Sequence, residues 1–416
     1  MNTATTSLRT SVCLLGCTLL AQAPTDPAPR EWVGGAPITE WTRLTGDWGG
    51  LRSQLEQLGI EVAGGFTSDL AAPWSGDTRR RSSLSSLIDL NVAFDLDTLL
   101  GWKRTIFYVD VYKIVGTNPT RDVGDFGGLS NIQGNDVEQI AEVWLETWLG
   151  DRLRVKAGKV DFNSEFAFHE IGGEFVNSTA AIVPTIVAYP TFPNPATSIN
   201  VFYSLGENSY VGAAMYDGAN ANGINTGRRG PKGFFTDDES DAYFYAVEAG
   251  TAWTGGERWG SGRASIGAFY HSASFSKFDG GTDRGTAGFW CSLEQHFWRE
   301  DPTANDGQGI GAFVSFGEAD EDVSSCANSV ACGLEWIGAF DSRDHDVLGF
   351  GLFWCDLSDD PSAGTPEDEV AFELLYKLQV TPAISLKPEF QYITHPGGAT
   401  GVDDVLVGLL RLEVLF

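Results

Sequence analysis

The chain ends on Val402-Asp403-Asp404-Val405-Leu406-Val407-Gly408-Leu409-Leu410-Arg411-Leu412-Glu413-Val414-Leu415-Phe416. Every second residue back from Phe416 belongs to one apolar face, which consists of Val414, Leu412, Leu410, Gly408 and Leu406. The other face carries Arg411 and Glu413. This alternation predicts a β-strand with lipid or a large core outside and water inside. A terminal Phe on such a strand is the usual assembly signal of outer-membrane barrels, and we assign that role to Phe416. The last strand of a soluble β-sandwich is the alternative.

The same period of two recurs along most of the chain. Residues 87–97 and 369–380 alternate between apolar and charged side chains, and residues 384–391 do so with Lys387 and Glu389 on the polar face. Segments of about ten residues match a tilted membrane strand better than a sandwich strand of about five or six. Marking every such segment predicts about sixteen strands over 60–416, one of them at 332–341.

The links between these strands alternate in length. Long links follow odd-numbered strands, at 115–136, 162–197 and 218–241, whereas even-numbered strands end in tight turns. After the first twenty residues no run of 18 apolar residues occurs, so a membrane location requires a closed barrel. The sequence therefore predicts an all-β, transmembrane antiparallel barrel with short periplasmic turns and both termini in the periplasm.

Charge limits the partners. The formal net charge of -29 excludes nucleic acid, whose binding relies on Lys and Arg. Carboxylates bunch at 237–241, 318–322 and 356–360. These runs predict solvated loops, with divalent-cation binding by oxygen ligands as the alternative.

The N-terminal region resembles an export signal. Arg9 precedes the apolar residues 12–20 and the small-residue site at 21–23, which predicts a signal peptide over 1–23. The alternative is a lipoprotein box at 14–17, which ends on Cys17.

A linker at 24–43 leads to a short amphipathic periplasmic helix at 44–59. Asp47 suits its N-cap, Gly59 suits its stop, and one helical face carries Leu51, Leu55 and Leu58.

Four cysteines follow the signal. Cys326 and Cys332 bracket five residues of a polar stretch, and exported proteins are oxidised, so we expect a disulfide that clamps this loop. Strand parity places Cys291 and Cys355 on opposite faces, which argues against their pairing.

Parity also predicts which side chains line the lumen. On the third to fifth strands these are Tyr108, Asp110, Tyr112, Glu142, Trp144, Glu146, Arg152, Arg154 and Lys156. Lys387, Glu389 and Arg411 extend the set near the C terminus. Acidic and aromatic side chains of the third and fourth strands thus lie beside basic side chains of the fifth. Such residues either stabilise the barrel wall or form a track for sugars, whose hydroxyls donate and accept hydrogen bonds and whose rings stack on aromatics.

The link at 162–197 is too long and too apolar to remain in solvent. It contains six Phe or Tyr residues and four prolines. We expect it to fold into the barrel and narrow the pore, with a lid over the mouth as the alternative.

Catalysis has little support. The five histidines have no metal-like spacing, and no carboxylate pair stands out. We expect no catalytic residue, metal ion or cofactor.

Several motifs resemble the carbohydrate-selective outer-membrane porins of the OprB type. They are Leu44-Thr45-Gly46-Asp47-Trp48-Gly49-Gly50-Leu51-Arg52, Leu58-Gly59-Ile60, Ala157-Gly158-Lys159-Val160-Asp161, Phe175-Val176-Asn177-Ser178 and Pro388-Glu389-Phe390-Gln391-Tyr392-Ile393-Thr394-His395-Pro396-Gly397-Gly398. The resemblance implies a sixteen-stranded barrel for passive, substrate-selective diffusion of monosaccharides such as glucose. It also implies a constriction lined by Arg, Glu and aromatic side chains.

The partners expected on this basis are sugars, outer-membrane lipid and the barrel-assembly machinery. Two alternatives stay open, namely a general or differently selective porin of the same fold, and a secreted β-sandwich glycosidase or lectin.

Overall fold

The computed structural model describes residues 37–76, 81–134, 136–235, 242–256, 260–301 and 307–416. The predicted signal peptide (1–23), the lipoprotein box (14–17), most of the linker and the acidic run at 237–241 lie outside these residues.

Within the described residues, sixteen antiparallel strands form one closed barrel, in which each strand pairs with its neighbours in sequence and β1 pairs with β16. The strands are β1 (Ile60–Pro73), β2 (Ser83–Asp95), β3 (Thr105–Gly116), β4 (Val137–Leu149), β5 (Leu153–Val160), β6 (Ala196–Ser204), β7 (Ser209–Asp217), β8 (Tyr243–Trp253), β9 (Gly262–Ser276), β10 (Thr282–Arg299), β11 (Gly309–Ala319), β12 (Cys326–Ile337), β13 (Val347–Leu357), β14 (Glu369–Thr381), β15 (Ile384–Thr394) and β16 (Val405–Leu415). The predicted fold class is confirmed.

Exposure along the strands is the reverse of that in a soluble protein. On β2, Leu90 is 51% exposed while its neighbour Asp89 is 7% exposed. On β16, Leu410 is 43% exposed while Arg411 is fully buried. Apolar side chains therefore cover the outer surface and charged ones face inward, which is the arrangement that lipid outside the barrel requires.

The closing strands fix where the C terminus lies. Asp69 of β1 faces Arg411 of β16, and the N–H of Phe416 donates to the carbonyl of Gly64 at 2.9 Å. The C-terminal strand β16 thus closes the barrel and is paired on both edges, with β15 and with β1.

The connections between strands are short at one end of the barrel and long at the other, as the sequence predicts. The links at 150–152, 205–208 and 382–383 are short and lie at one end. At the other end, three long links contain the segments that we call loop 2 (117–134), loop 3 (161–195) and loop 4 (218–235). The short-turn end is periplasmic and the long-loop end is extracellular.

The described residues contain four short α-helices, namely α1 (Leu51–Gln57), α2 (Leu96–Leu100), α3 (Thr120–Val123) and α4 (Ser178–Ala181). Helix α1 is shorter than the predicted 44–59. The N-cap of α1 is Gly50 rather than the predicted Asp47, although the Asp47 carboxylate accepts from the Ser53 N–H at 2.8 Å. Gly59 follows the helix with φ of +86°. No helix in the described part of the chain is long and apolar enough to cross a membrane.

The predicted Cys326–Cys332 disulfide is wrong. Strand β12 begins at Cys326 rather than near residue 332, so both cysteines lie on one strand, and both are free. Because an extended strand rises about 3.3 Å per residue, the Cα atoms of Cys326 and Cys332 lie about 20 Å apart, whereas a disulfide needs Cα atoms within about 7 Å. Residues 326–331 had resembled a loop because they are small and uncharged, with little alternation between apolar and charged side chains.

Candidate functional site

Loop 3 lies inside the barrel, where carboxylates of the wall hold its backbone. Glu248 on β8 accepts from the N–H of Ala167 at 2.9 Å, and Glu294 on β10 accepts from that of Glu170 at 2.7 Å. On β14, both carboxylate oxygens of Glu373 accept from the consecutive N–H groups of residues 176 and 177, at 2.8 and 2.9 Å. Because these strands lie on different parts of the wall, the loop crosses the lumen.

The aromatic residues of loop 3 explain why it enters. Phe162, Phe166 and Phe175 are fully buried. Phe162 stacks on Phe166 and meets Trp290 of the wall edge-to-face, with ring centroids 5.2 and 5.8 Å apart. This apolar surface is removed from water only when the loop packs against the inner wall.

The first charged group, which we call the β4–β5 cluster, consists of Glu146, Arg154, Lys156 and Glu165 of loop 3. Glu165 accepts from Arg154 and from Lys156, each at 2.5 Å. Glu146 lies 3.2 Å from both cations. All but Glu146 are at most 4% exposed in their side chains, so the loop carboxylate neutralises two buried wall cations.

Aromatic rings enclose these cations. The Lys156 ammonium lies 3.9 Å from the ring centroid of Trp144, which stacks on Tyr108 at 4.7 Å. The Arg154 guanidinium lies 4.2 Å from the ring of Phe202. A Cβ at Gly158, whose φ is +142°, would lie 2.2 Å from the Val143 carbonyl and 2.9 Å from the Trp144 Cβ, so only glycine fits there.

Acidic residues continue the wall beside this cluster. Asp110 and Glu142 are 1% and 2% exposed. Glu142 accepts from the Trp144 indole N–H at 3.0 Å and from the backbone N–H of Asp161 at 3.3 Å. Next to them, the hydroxyl of Tyr112 donates to the Pro193 carbonyl of loop 3 at 2.5 Å.

The second charged group, which we call the β14–β16 cluster, consists of Lys377, Lys387, Glu413 and Glu174 of loop 3. Glu174 lies 2.5 Å from the Lys377 ammonium and 2.9 Å from that of Lys387. Lys387 also donates to the Glu174 carbonyl at 2.7 Å and lies 3.7 Å from Glu413. Loop 3 thus places one carboxylate in each cluster.

Loop 2 is held by a third group. Arg411 and Asp69 form a bidentate pair with two contacts of 2.7 Å, and both side chains are 1% exposed. Arg411 also donates to Asn131 at 2.7 Å, while Ser130 donates to Asp69 at 2.6 Å. Glu389, equally buried, accepts from Gln391 at 2.8 Å.

The structure brings most of the predicted lumen residues together, and those that contact loop 2 or loop 3 are Tyr112, Glu142, Arg154, Lys156, Lys387 and Arg411. The exception is Arg152, which lies exposed in the turn before β5 rather than on the fifth strand. Sequence reasoning missed Glu165, Glu174 and Asp69. It also left out Lys377, which the alternation over 369–380 places on the same face as Glu373.

The open edge of each cluster is formed by its partly exposed members. Glu146, Glu174, Lys377 and Glu413 keep 12 or 13% exposure in their side chains, whereas the other four members are nearly inaccessible. Each cluster contains two carboxylates and two cations, so its formal charges cancel. In the described residues, no three His, Cys, Asp or Glu side chains converge as metal ligands.

The family described as "Carbohydrate-selective porin, OprB family" matches residues 82–416. Porin B of Pseudomonas aeruginosa is 25% identical over 438 aligned positions, which cover 92% of each chain. The high-pH structure of OprB from Pseudomonas putida superposes with a TM-score of 0.79 at 21% identity, covering 91% of this chain and 99% of that one. The low-pH structure of the same protein gives a TM-score of 0.61 at 18% identity, with the same coverage.

Proposed function

Because the chain belongs to the carbohydrate-selective porin family of the OprB type, whose match spans residues 82–416, we propose that it conducts monosaccharides of the glucose type by passive, substrate-selective diffusion. It is a channel of the outer membrane. Loop 3 narrows the lumen in this proposal, and the exposed edges of the two charged clusters contact the passing sugar.

One observation carries the proposal, namely the charge balance of the two clusters. The whole chain has a formal charge of -29, yet the salt-bridged groups beside loop 3 sum to zero in each cluster. A ring of one sign would select ions of the opposite sign. Paired charges attract neither ion strongly, while their remaining donors and acceptors are free to bond the hydroxyls of a neutral solute.

We assign the sugar contacts to the four members that keep an exposed edge, Glu146, Glu174, Lys377 and Glu413. A carboxylate accepts from a sugar hydroxyl and an ammonium donates to one, so the β14–β16 edge offers both halves of a hydrogen-bonded pair, whereas Glu146 of the β4–β5 edge only accepts. The predicted track residues Tyr108, Asp110, Glu142, Trp144, Arg154, Lys156, Lys387, Glu389 and Arg411 then act behind this edge. They hold the loops that define it.

Liposome swelling tests the proposal. Proteoliposomes in glucose, in a disaccharide and in a charged solute of similar size to glucose should swell fastest with glucose. Lys377→Met should slow the glucose rate about two- to tenfold, the loss expected for one hydrogen bond to the sugar. Lys113→Met is the matched control, since Lys113 lies on β3 with a side chain that is 51% exposed. Rates that follow solute size alone would contradict selectivity and favour a general porin.

Assembly belongs to the same proposal. Phe416 serves as the signal read by the barrel-assembly machinery, and the apolar outer surface contacts outer-membrane lipid. Both follow from the terminal strand, whose outer face carries Leu410 and whose edges are paired.

A further inference from the structure

A polar cavity lies on the extracellular side of the barrel, between loops 3 and 4. It encloses about 360 Å³ and is lined by Ala188, Tyr189, Thr191, Phe192, Asn194, Asn220, Gly223, Ile224 and Asn225. The lining segments adjoin the extracellular ends of β6, which begins at Ala196, and β7, which ends at Asp217. Small-ligand sites enclose about 300–1,000 Å³, so the volume suits a small molecule.

Hydrogen bonds between the two loops fix the shape of this cavity. The Thr226 hydroxyl donates to the Asn194 carbonyl at 2.8 Å, and the Asn220 amide lies 3.4 Å from the carbonyls of Tyr189 and Asn194. Asn220 also accepts from the Thr226 hydroxyl at 3.0 Å. At its edge, Ala188 has φ of +52°, a conformation that an alanine adopts only when its surroundings impose it. The cavity is therefore built into the fold.

The lining is neutral in a strongly acidic protein. Among the residues that the structure describes, the lining includes no Asp, Glu, Lys, Arg or His, although the chain carries 56 carboxylates. Its polar groups are amides and hydroxyls, and its apolar groups include the rings of Tyr189 and Phe192. Such a surface has no charge to bind an ion, but it can bond hydroxyls and cover the apolar face of a ring.

The asparagine side chains of Asn194 and Asn225 both belong to the lining of this cavity. The Oδ1 atom of Asn194 is buried and has no hydrogen-bond partner among the residues that the structure describes. Asn225 is exposed at the opening. A buried amide oxygen without a partner is unfavourable, so a turn of the Asn194 amide toward the cavity, where a ligand hydroxyl can donate to it, would relieve that cost.

We infer that this cavity is an extracellular binding site for one neutral sugar ring, which captures the sugar before it reaches loop 3. The inference rests on the proposed function, because it adds a first binding step to the same passage. Asn194 and Asn225 bond sugar hydroxyls, while Tyr189, Phe192 and Ile224 supply the apolar surface.

Current fluctuations of single channels in a planar bilayer test this site, with glucose added to one chamber at a time. In the unmodified protein, the association rate of glucose should be higher from one chamber, which is then the extracellular side. Asn194→Ala and Asn225→Ala should each lower that rate about two- to tenfold, the loss expected for one hydrogen bond. The rate from the other chamber should not change. Asn222→Ala is the matched control, because Asn222 is an exposed amide of the same loop outside the cavity.

The outcomes separate the two proposals. If glucose blocks the unmodified channel but Asn194→Ala and Asn225→Ala behave as Asn222→Ala does, the cavity is not a sugar site and the proposed function stands. If glucose produces no block from either chamber, both fall. Because the Asn225 side chain is exposed, its alanine variant keeps the test valid even if Asn194→Ala fails to fold.

Discussion

Glu165 is the residue whose removal should most affect the position of loop 3. Glu165→Gln takes away the carboxylate that both Arg154 and Lys156 contact at 2.5 Å, and its side chain is only 1% exposed. Removing one partner of a buried ion pair costs about 3–5 kcal/mol, since the remaining charge stays buried. Glu146 still lies 3.2 Å from both cations, so we expect a value near the lower end, about 3 kcal/mol. That corresponds to a factor on the order of 100 in the equilibrium for release of the loop.

Hydrogen exchange in detergent micelles measures this release directly. The N–H of Ala167 is bonded to Glu248 at 2.9 Å and exchanges only when the loop leaves the wall. In Glu165→Gln its exchange should accelerate about 100-fold, following the same free energy. Glu170→Gln makes the same change of charge at an exposed position of the same loop, and should leave the rate as it is. Equal rates in the two variants would refute the view that Glu165 anchors loop 3.

Three other changes should have separable effects. Arg411→Met should lower the free energy of unfolding in urea by about 3–5 kcal/mol, because it leaves the buried carboxylate of Asp69 unpaired. The double variant Arg411→Met with Asp69→Leu should recover part of that loss. Equal losses in the single and the double variant would contradict this. Burial raises the pKa of Asp346, whereas hydrogen bonds from Arg343 and Tyr376 lower it. The hydrogen bonds outweigh the burial, so the pKa of Asp346 lies below its usual value. The stabilisation that ionised Asp346 contributes is therefore present above the unfolded pKa of about 3.9 and is lost as pH falls. The Tm difference between the unmodified protein and Asp346→Asn should shrink below about pH 4. A Tm difference that stays constant with pH would contradict this role of Asp346. Deletion of Phe416 should reduce the folded, heat-modifiable fraction in cells, whereas Phe416→Tyr should retain it; equal fractions would rule out the assembly role.

The strands could be predicted because their signal is local. A strand with lipid on one side and polar groups on the other alternates at every second residue, and β14 (Glu369–Thr381) covers the alternating segment at 369–380. Strand β12 shows the limit of this signal. Residues 326–331 are small and uncharged, so the alternation is weak there, and the strand was expected to begin six residues too late.

Only the residues of the site that lie on strands of the barrel wall could be predicted. Parity placed Arg154, Lys156 and Lys387 inside, because they lie on strands. Their partners Glu165 and Glu174 lie in loop 3, which has no repeating pattern, and their contacts depend on how that loop crosses the lumen. Residue spacing carries no information about such long-range pairs. A track open to solvent was therefore expected where the structure has buried salt bridges with exposed edges.

The passage itself is tested most directly by single-channel conductance with increasing glucose in both chambers. If the exposed edges of the two charge-balanced clusters bind a sugar beside loop 3, the current should fall along a saturable curve, and Lys377→Met should shift its midpoint to higher glucose concentration by about two- to tenfold. A current that falls only in proportion to the conductivity of the solution, equally in both proteins, would contradict selective binding of sugar in this lumen.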